Sequence, residues 1–208
     1  VTASGAYHVA RAAKELGAAV LYVSTDFVFD GSKNAFTEAD SPNPLNVYGA
    51  SKFAGEVLTR IANPKHYIIR TSSLFGKNVS HKGYNFVTLM LEKARRGEEI
   101  RVVRDQVSSP TYTLDCAAKI HELIAKKAPF GIYHVTNQGS SSWYEFAQAI
   151  FEFAGITPTL TPITTAESGT KIARPHFAAL ENVNLVSVGV SPLRPWREGL
   201  RAYLAEIS

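Results

Sequence analysis

Two hydrophobic rhythms alternate along the chain. Ala6, Val9, Ala10, Ala13 and Leu16 recur at the spacing of one helix face, and Gly17 follows as a helix-ending signal. Residues 18–24 are a short apolar run, which reads as a buried parallel strand. Residues 26–46 are rich in Gly, Asn, Asp and Pro and carry Asp30-Gly31 and Ser41-Pro42-Asn43-Pro44. This connection is longer than most, which marks a functional loop. Helical spacing returns over residues 47–61, with Phe53, Val57, Leu58 and Ile61 on one side. Residues 67–70 predict a strand, 86–94 a helix, 100–103 a strand, 113–127 a helix and 131–135 a strand. Ser142 and Glu145 make a capping box opening a helix that ends before Gly155. A last helix begins near Pro195, with Leu200, Tyr203 and Leu204 facing inward.

Helices alternating with short apolar strands predict an α/β fold: a Rossmann-like, doubly wound parallel sheet. Beyond about residue 80 the loops lengthen and Pro becomes frequent. The expected division is therefore residues 1–80 as part of a Rossmann-like dinucleotide-binding domain, and 81–208 as mostly a small C-terminal α/β substrate-binding lobe, with some segments returning to the core. The chain opens without Met, directly on a helix pattern. This raises the expectation that an N-terminal segment precedes it.

At 208 residues and 45% hydrophobic, the chain can bury one sizeable core. A net charge of +4 without a basic stripe argues against nucleic-acid binding and suits a small anionic ligand. The single cysteine, Cys116, excludes an intrachain disulfide and suits a reducing, cytoplasmic setting. No apolar run approaches the roughly 20 residues of a membrane span. The histidines (His8, His66, His81, His121, His134, His176) lack metal-ligand spacing, so no metal site is expected. His134, Cys116, Trp143 and Tyr144 read as packing residues.

Candidate chemistry begins with Tyr48 and Lys52, four residues apart and hence on one helix face. A phenol ordinarily titrates near pH 10, about three units too high for easy exchange. A nearby ammonium would lower that value and let Tyr48 protonate a carbonyl oxygen while hydride arrives at carbon. Alone the spacing is common. Ser24-Thr25-Asp26 adds weight, because it ends the predicted strand, where ligands gather in such folds.

The strand end Ser24-Thr25-Asp26-Phe27, followed by Tyr48-Gly49-Ala50-Ser51-Lys52, resembles the extended short-chain dehydrogenase/reductase family. Within that family it resembles most the dTDP-4-dehydrorhamnose reductases. The likeness continues through residues 70–76, 85–87, 105–111, 173–175 and 195–199. It implies NADPH (or NADH) as cofactor, a dTDP-sugar as substrate and dTDP-L-rhamnose as product. It implies Tyr48 as general acid, Lys52 as its tuner and ribose ligand, and Thr25 as the group orienting the keto oxygen. Ser24 would lie on the cofactor side. Thr25, Asp26 and Ser73 would contact the sugar, and Asn85, Gln106 and Arg174 the nucleotide. A homodimer is carried as an expectation; no carboxylate cluster predicts a magnesium ion.

The family's Gly-x-x-Gly-x-x-Gly motif, which cradles the pyrophosphate, occurs nowhere in these residues. The chain alone is therefore expected to bind the cofactor poorly and to be inactive. Ser73 stands where many members carry Trp, and Ser108 where Gly is common. Related dehydratases place a second carboxylate after the Thr-Asp pair; here Phe27 follows Asp26. Related epimerases continue after the strand arginine with Asn and Pro, both missing between Arg70 and Lys77. A non-catalytic regulatory subunit of the same fold is the remaining alternative, against which Thr25, Tyr48 and Lys52 together argue.

Overall fold

The computed structural model describes residues 2–78 and 83–207. His81 and the domain boundary expected at 80–81 lie outside them. In chain order the elements are α1 (Thr2–Glu15), β1 (Val20–Thr25), α2 (Val47–Ala62), β2 (His66–Thr71), β3 (Leu74–Phe75), α3 (Phe86–Arg95), β4 (Ile100–Val103) and β5 (Val107–Ser108). There follow β6 (Thr111–Tyr112), α4 (Thr113–Ala125), β7 (Gly131–His134), β8 (Ser141–Ser142), α5 (Trp143–Ala154), β9 (Leu160–Ile163), α6 (Val183–Ser187) and α7 (Trp196–Ile207).

The main sheet runs β1-β2-β7, all parallel. Its register sets Thr25 beside Thr71 at the carboxyl ends of β1 and β2, and Arg70 beside His134 across β2 and β7. Ile68 and Ile69 are fully buried, as expected for a strand covered on both faces. Strand β7 comes from the chain's second half and returns to this sheet. A second core joins Phe75 of β3 to residues further along the chain: Phe75, Met90, Phe146, Ile150, Leu200 and Tyr203 cluster where α3, α5 and α7 pack. Parallel β4 and β9 flank it.

Local signals explain the main boundaries. Ser142 and Glu145 form the reciprocal capping box, and Gly155 closes α5 in the left-handed conformation with φ +65°. Asn46 caps α2 by accepting from Gly49 N. A Cβ at Gly49 would lie 2.1 Å from the Phe27 carbonyl oxygen, so this glycine lets α2 press against the turn that follows β1. Strand β9 escaped the pattern reading because Pro162 interrupts it; among the described residues it pairs only with β4, and an edge strand tolerates proline. Among the described residues, no helix is long and apolar enough to cross a membrane.

Candidate active site

Strand β1 ends in a 3-10 turn, Asp26–Val28, capped by Thr25. The Thr25 hydroxyl accepts from Phe27 N at 3.2 Å and donates to Asp26 Oδ1 at 2.8 Å. The other Asp26 oxygen accepts from Ser72 Oγ, beyond the end of β2, at 2.6 Å. Burial pushes the Asp26 carboxyl up to about 6, against the hydrogen bonds from Ser72 and Thr25 that hold it down.

Tyr48 and Lys52 face the same cleft from the first turns of α2. The Tyr48 ring is half exposed and meets Phe27 edge-on, centroids 5.9 Å apart. Partial burial raises its phenol above the ordinary value; a hydrogen bond with Thr25 opposes that rise and the nearby Asp26 charge adds to it. Lys52 Nζ donates to the Val23 carbonyl at 2.5 Å and lies 4.4 Å from the Tyr22 ring centroid. Tyr22 donates in turn to the Lys52 carbonyl at 3.2 Å. Burial lowers the Lys52 ammonium, and Glu56 opposes this. This corrects one detail of the sequence reading. The ammonium is engaged by β1 rather than by the phenol, and the phenol titrates upward, not downward. A phenol held protonated is the form needed to donate a proton.

Ser24 also lines the cleft, and its hydroxyl donates to Glu56 Oε1 at 2.5 Å. Glu56 also takes both prongs of Arg70, and all three side chains are buried. The cleft has a volume of about 320 Å³ and is lined by Val23, Thr25, Asp26, Tyr48, Lys52 and Ser73, among others. Ser73 sits at φ +43°, a strained conformation for a side-chain-bearing residue, and its hydroxyl donates to Ser108 Oγ at 2.8 Å.

A second cavity, about 460 Å³, lies in the other half of the molecule. Phe86, Met90, Val102 and Trp143 give it apolar walls, and Gln106 and Arg174 add polar groups. Trp143 therefore lines a cavity as well as packing on Phe86. Gln106 Nε2 donates to Thr165 Oγ1 at 2.9 Å. Asn85 lines neither cavity. Its amide caps α3 through Thr88 N and donates to the Gly76 carbonyl and the Tyr203 hydroxyl, so its hydrogen-bonding groups are spent on the protein. His134 is buried against the Glu181 carbonyl, as a packed histidine would be.

Sequence reasoning missed Tyr22 beneath Lys52, because strand alternation does not say which residue a distant ammonium will cover. It also missed the Glu56–Arg70 pair, although a Glu one turn beyond Lys52 and an Arg inside an apolar strand were signals for it.

The residues present suit one end of a nicotinamide cofactor. Lys52 spends one of its three N–H groups on Val23, and among the described residues no other hydrogen bond takes the rest. Those donors face a cleft with exposed Val23 and Leu74 at its rim, a polar and apolar mix that fits a ribose and a nicotinamide ring. Among the described residues no His, Cys, Asp and Glu cluster could hold a metal ion.

A parallel α/β sheet with Thr, Tyr and Lys gathered at its strand ends defines a Rossmann-like protein of the oxidoreductase kind. The family model of the RmlD substrate binding domain matches residues 1–208, and the chain belongs to that family. It is 43% identical to the spore coat polysaccharide biosynthesis protein SpsK of Bacillus subtilis over 205 residues, which cover 98% of this chain and 70% of SpsK. It is 34% identical to the dTDP-4-dehydrorhamnose reductase of Escherichia coli over 218 residues, covering 100% of this chain and 72% of that enzyme. The crystal structure of dTDP-4-dehydrorhamnose reductase from Bacillus anthracis in complex with NADP superposes with a TM-score of 0.94 at 40% identity. That match covers 99% of this chain and 72% of the other.

Proposed function

We propose that this protein reduces the 4-keto group of dTDP-4-dehydro-6-deoxy-L-mannose with NADPH (or NADH), giving dTDP-L-rhamnose. The observation that carries the reading is the convergence of Thr25, Tyr48 and Lys52 on one cleft at the carboxyl ends of β1 and β2. Family membership supports the same substrate, since similar proteins from Escherichia coli and Bacillus anthracis bear the name of this reductase.

In this reading Lys52 holds the ribose hydroxyls with its remaining donors. The nicotinamide, when bound, supplies the hydride that C4 receives. Tyr48 gives its phenolic proton to the C4 oxygen, so a ketone, a hydride and a proton become an alcohol. Thr25 positions that oxygen, and Asp26 fixes the orientation of the Thr25 hydroxyl. Phe27 occupies the place where an eliminating enzyme needs a second acid, and its ring packs against Tyr48 instead. That favours reduction over dehydration.

The second cavity suits the nucleotide: apolar walls for the base, with Arg174 for the diphosphate. Residues 1–80, joined by β7, then form the cofactor and catalytic side, and the rest of 81–208 the nucleotide side. The buried thiol of Cys116 suits a cytoplasmic setting.

The test is loss of nicotinamide absorbance when the full-length protein meets NADPH and this keto sugar nucleotide. The proposal predicts cofactor oxidation that needs both substrate and Tyr48. It is overturned if the sugar nucleotide is untouched, or if a Tyr48→Phe variant works as well.

A further inference from the structure

Between β9 and Ala178 the chain forms a strap with both ends fixed to one short segment. At the near end, the Asp105 carboxylate accepts from Thr165 N and Oγ1, and Gln106 donates to the same hydroxyl. At the far end, His176 Nδ1 lies 2.9 Å from the Asp105 carbonyl, and Val107 N donates to the His176 carbonyl at 2.7 Å. The strap closes over the second cavity, to which it contributes Glu167, Ser168 and Arg174.

The middle of the strap reaches the catalytic half at one polar point. Asn46 Nδ2 donates to the Ala173 carbonyl at 2.9 Å. Among the described residues, no other hydrogen bond holds residues 171–175 to the rest of the molecule. Gly31 makes room for this approach. A Cβ there would lie 2.8 Å from Pro175 Cβ and 2.9 Å from His176 N, and φ at Gly31 is +80°.

The same Asn46 side chain caps α2. Its Oδ1 accepts from Gly49 N at 2.9 Å. One amide group therefore holds the start of the helix bearing Tyr48 with its oxygen and the strap bearing Arg174 with its nitrogen. Ala173 adjoins Arg174, and Asn46 is two residues before Tyr48.

We propose that Asn46 is a positioning residue that couples recognition of the nucleotide at the strap to the placement of Tyr48. The proposal rests on the reading above, that the second cavity takes the nucleotide. Anchoring the strap through Arg174 fixes the Ala173 carbonyl. That carbonyl holds the Asn46 amide in its capping geometry, and the cap orders the first turn of α2. Binding energy from a remote part of the substrate is thereby used to orient the acid at the reacting carbon.

Asn46→Asp separates the two roles, because a carboxylate keeps the capping acceptor and loses the donor. Hydrogen exchange in the full-length protein, with and without dTDP, reads the coupling without cofactor or turnover. In the wild type, dTDP is expected to slow exchange both at residues 170–174 and at Gly49. In Asn46→Asp it should slow exchange only at 170–174. Turnover gives a second readout. Asn46→Asp and Arg174→Ala should each lower kcat by about three- to tenfold, the range one hydrogen bond supports. The double variant should be no worse than the poorer single. If wild-type Gly49 ignores dTDP while 170–174 respond, or if the two substitutions act additively, the coupling is wrong and the nucleotide site stands. If dTDP protects neither segment, the nucleotide site fails and the coupling fails with it.

Discussion

Arg70 forks onto Glu56, Nε to Oε1 at 3.0 Å and Nη2 to Oε2 at 2.7 Å, with both side chains buried. Ser24 Oγ adds a third bond to the same carboxylate. This cluster joins α2 to β1 and β2 one helical turn beyond Lys52. Removing one partner strands the other as an uncompensated buried charge. Glu56→Gln should therefore cost about 3–5 kcal/mol in urea unfolding. Replacing both residues by apolar ones of similar volume should cost less than the single change. A Glu56→Gln protein as stable as wild type would show that the pair is not what holds α2 to the sheet.

Tyr48→Phe keeps the ring against Phe27 and removes the only proton it can give. Turnover should fall roughly 10²–10⁴-fold, while thermal stability stays near that of wild type. Stopped-flow or steady-state assay of keto-sugar reduction measures it.

The Asp26 carboxyl predicts a pH dependence. Ionised, Asp26 takes the Thr25 proton, and Thr25 can only accept toward the cleft. Protonated, Asp26 can donate to Thr25 and free that hydroxyl to donate to the C4 oxygen. With its carboxyl raised to about 6, kcat/KM for reduction should rise as pH falls through that value. Asp26→Asn should flatten this limb. The stability sign is the same. A carboxyl raised by folding stabilises the protein fully below its unfolded value of 3.8 and loses that contribution as pH climbs through about 6. Urea midpoints across this range should show the slope in wild type and not in Asp26→Asn.

Tyr22 lies under the Lys52 ammonium and bonds its carbonyl. Tyr22→Phe keeps the π face; Tyr22→Leu loses it. Cofactor affinity, measured by calorimetry, should hold in the first and fall about two- to fivefold in the second, the scale of a partly exposed cation–π contact. Equal affinities in the two variants would remove the ring from the account. Lys52→Ala should weaken both cofactor binding and turnover.

Much of this site was legible in the sequence. Thr25, Tyr48 and Lys52 were flagged by a strand end and a one-turn spacing, and the fold brings all three to one cleft. Local signals such as the Ser142–Glu145 box and Gly155 also read through directly, because they act within a few residues. What did not read through depends on contacts distant in the chain. Lys52 finds Val23 and Tyr22 about thirty positions away, and Asn46 finds Ala173 at a separation of 127. Asn85 suited a ligand contact by type, but its amide was claimed by a helix cap and by Tyr203. Strand β9 was hidden by Pro162, and the two-residue strands are too short to carry any period.

The most direct test follows the hydride. The full-length protein is incubated with NADPH deuterated at the transferable position and dTDP-4-dehydro-6-deoxy-L-mannose, and the product is read by mass spectrometry and NMR. The account predicts dTDP-L-rhamnose carrying one deuterium, at C4 of the sugar. Recovery of unchanged keto sugar, or a product with no deuterium at C4, would contradict it.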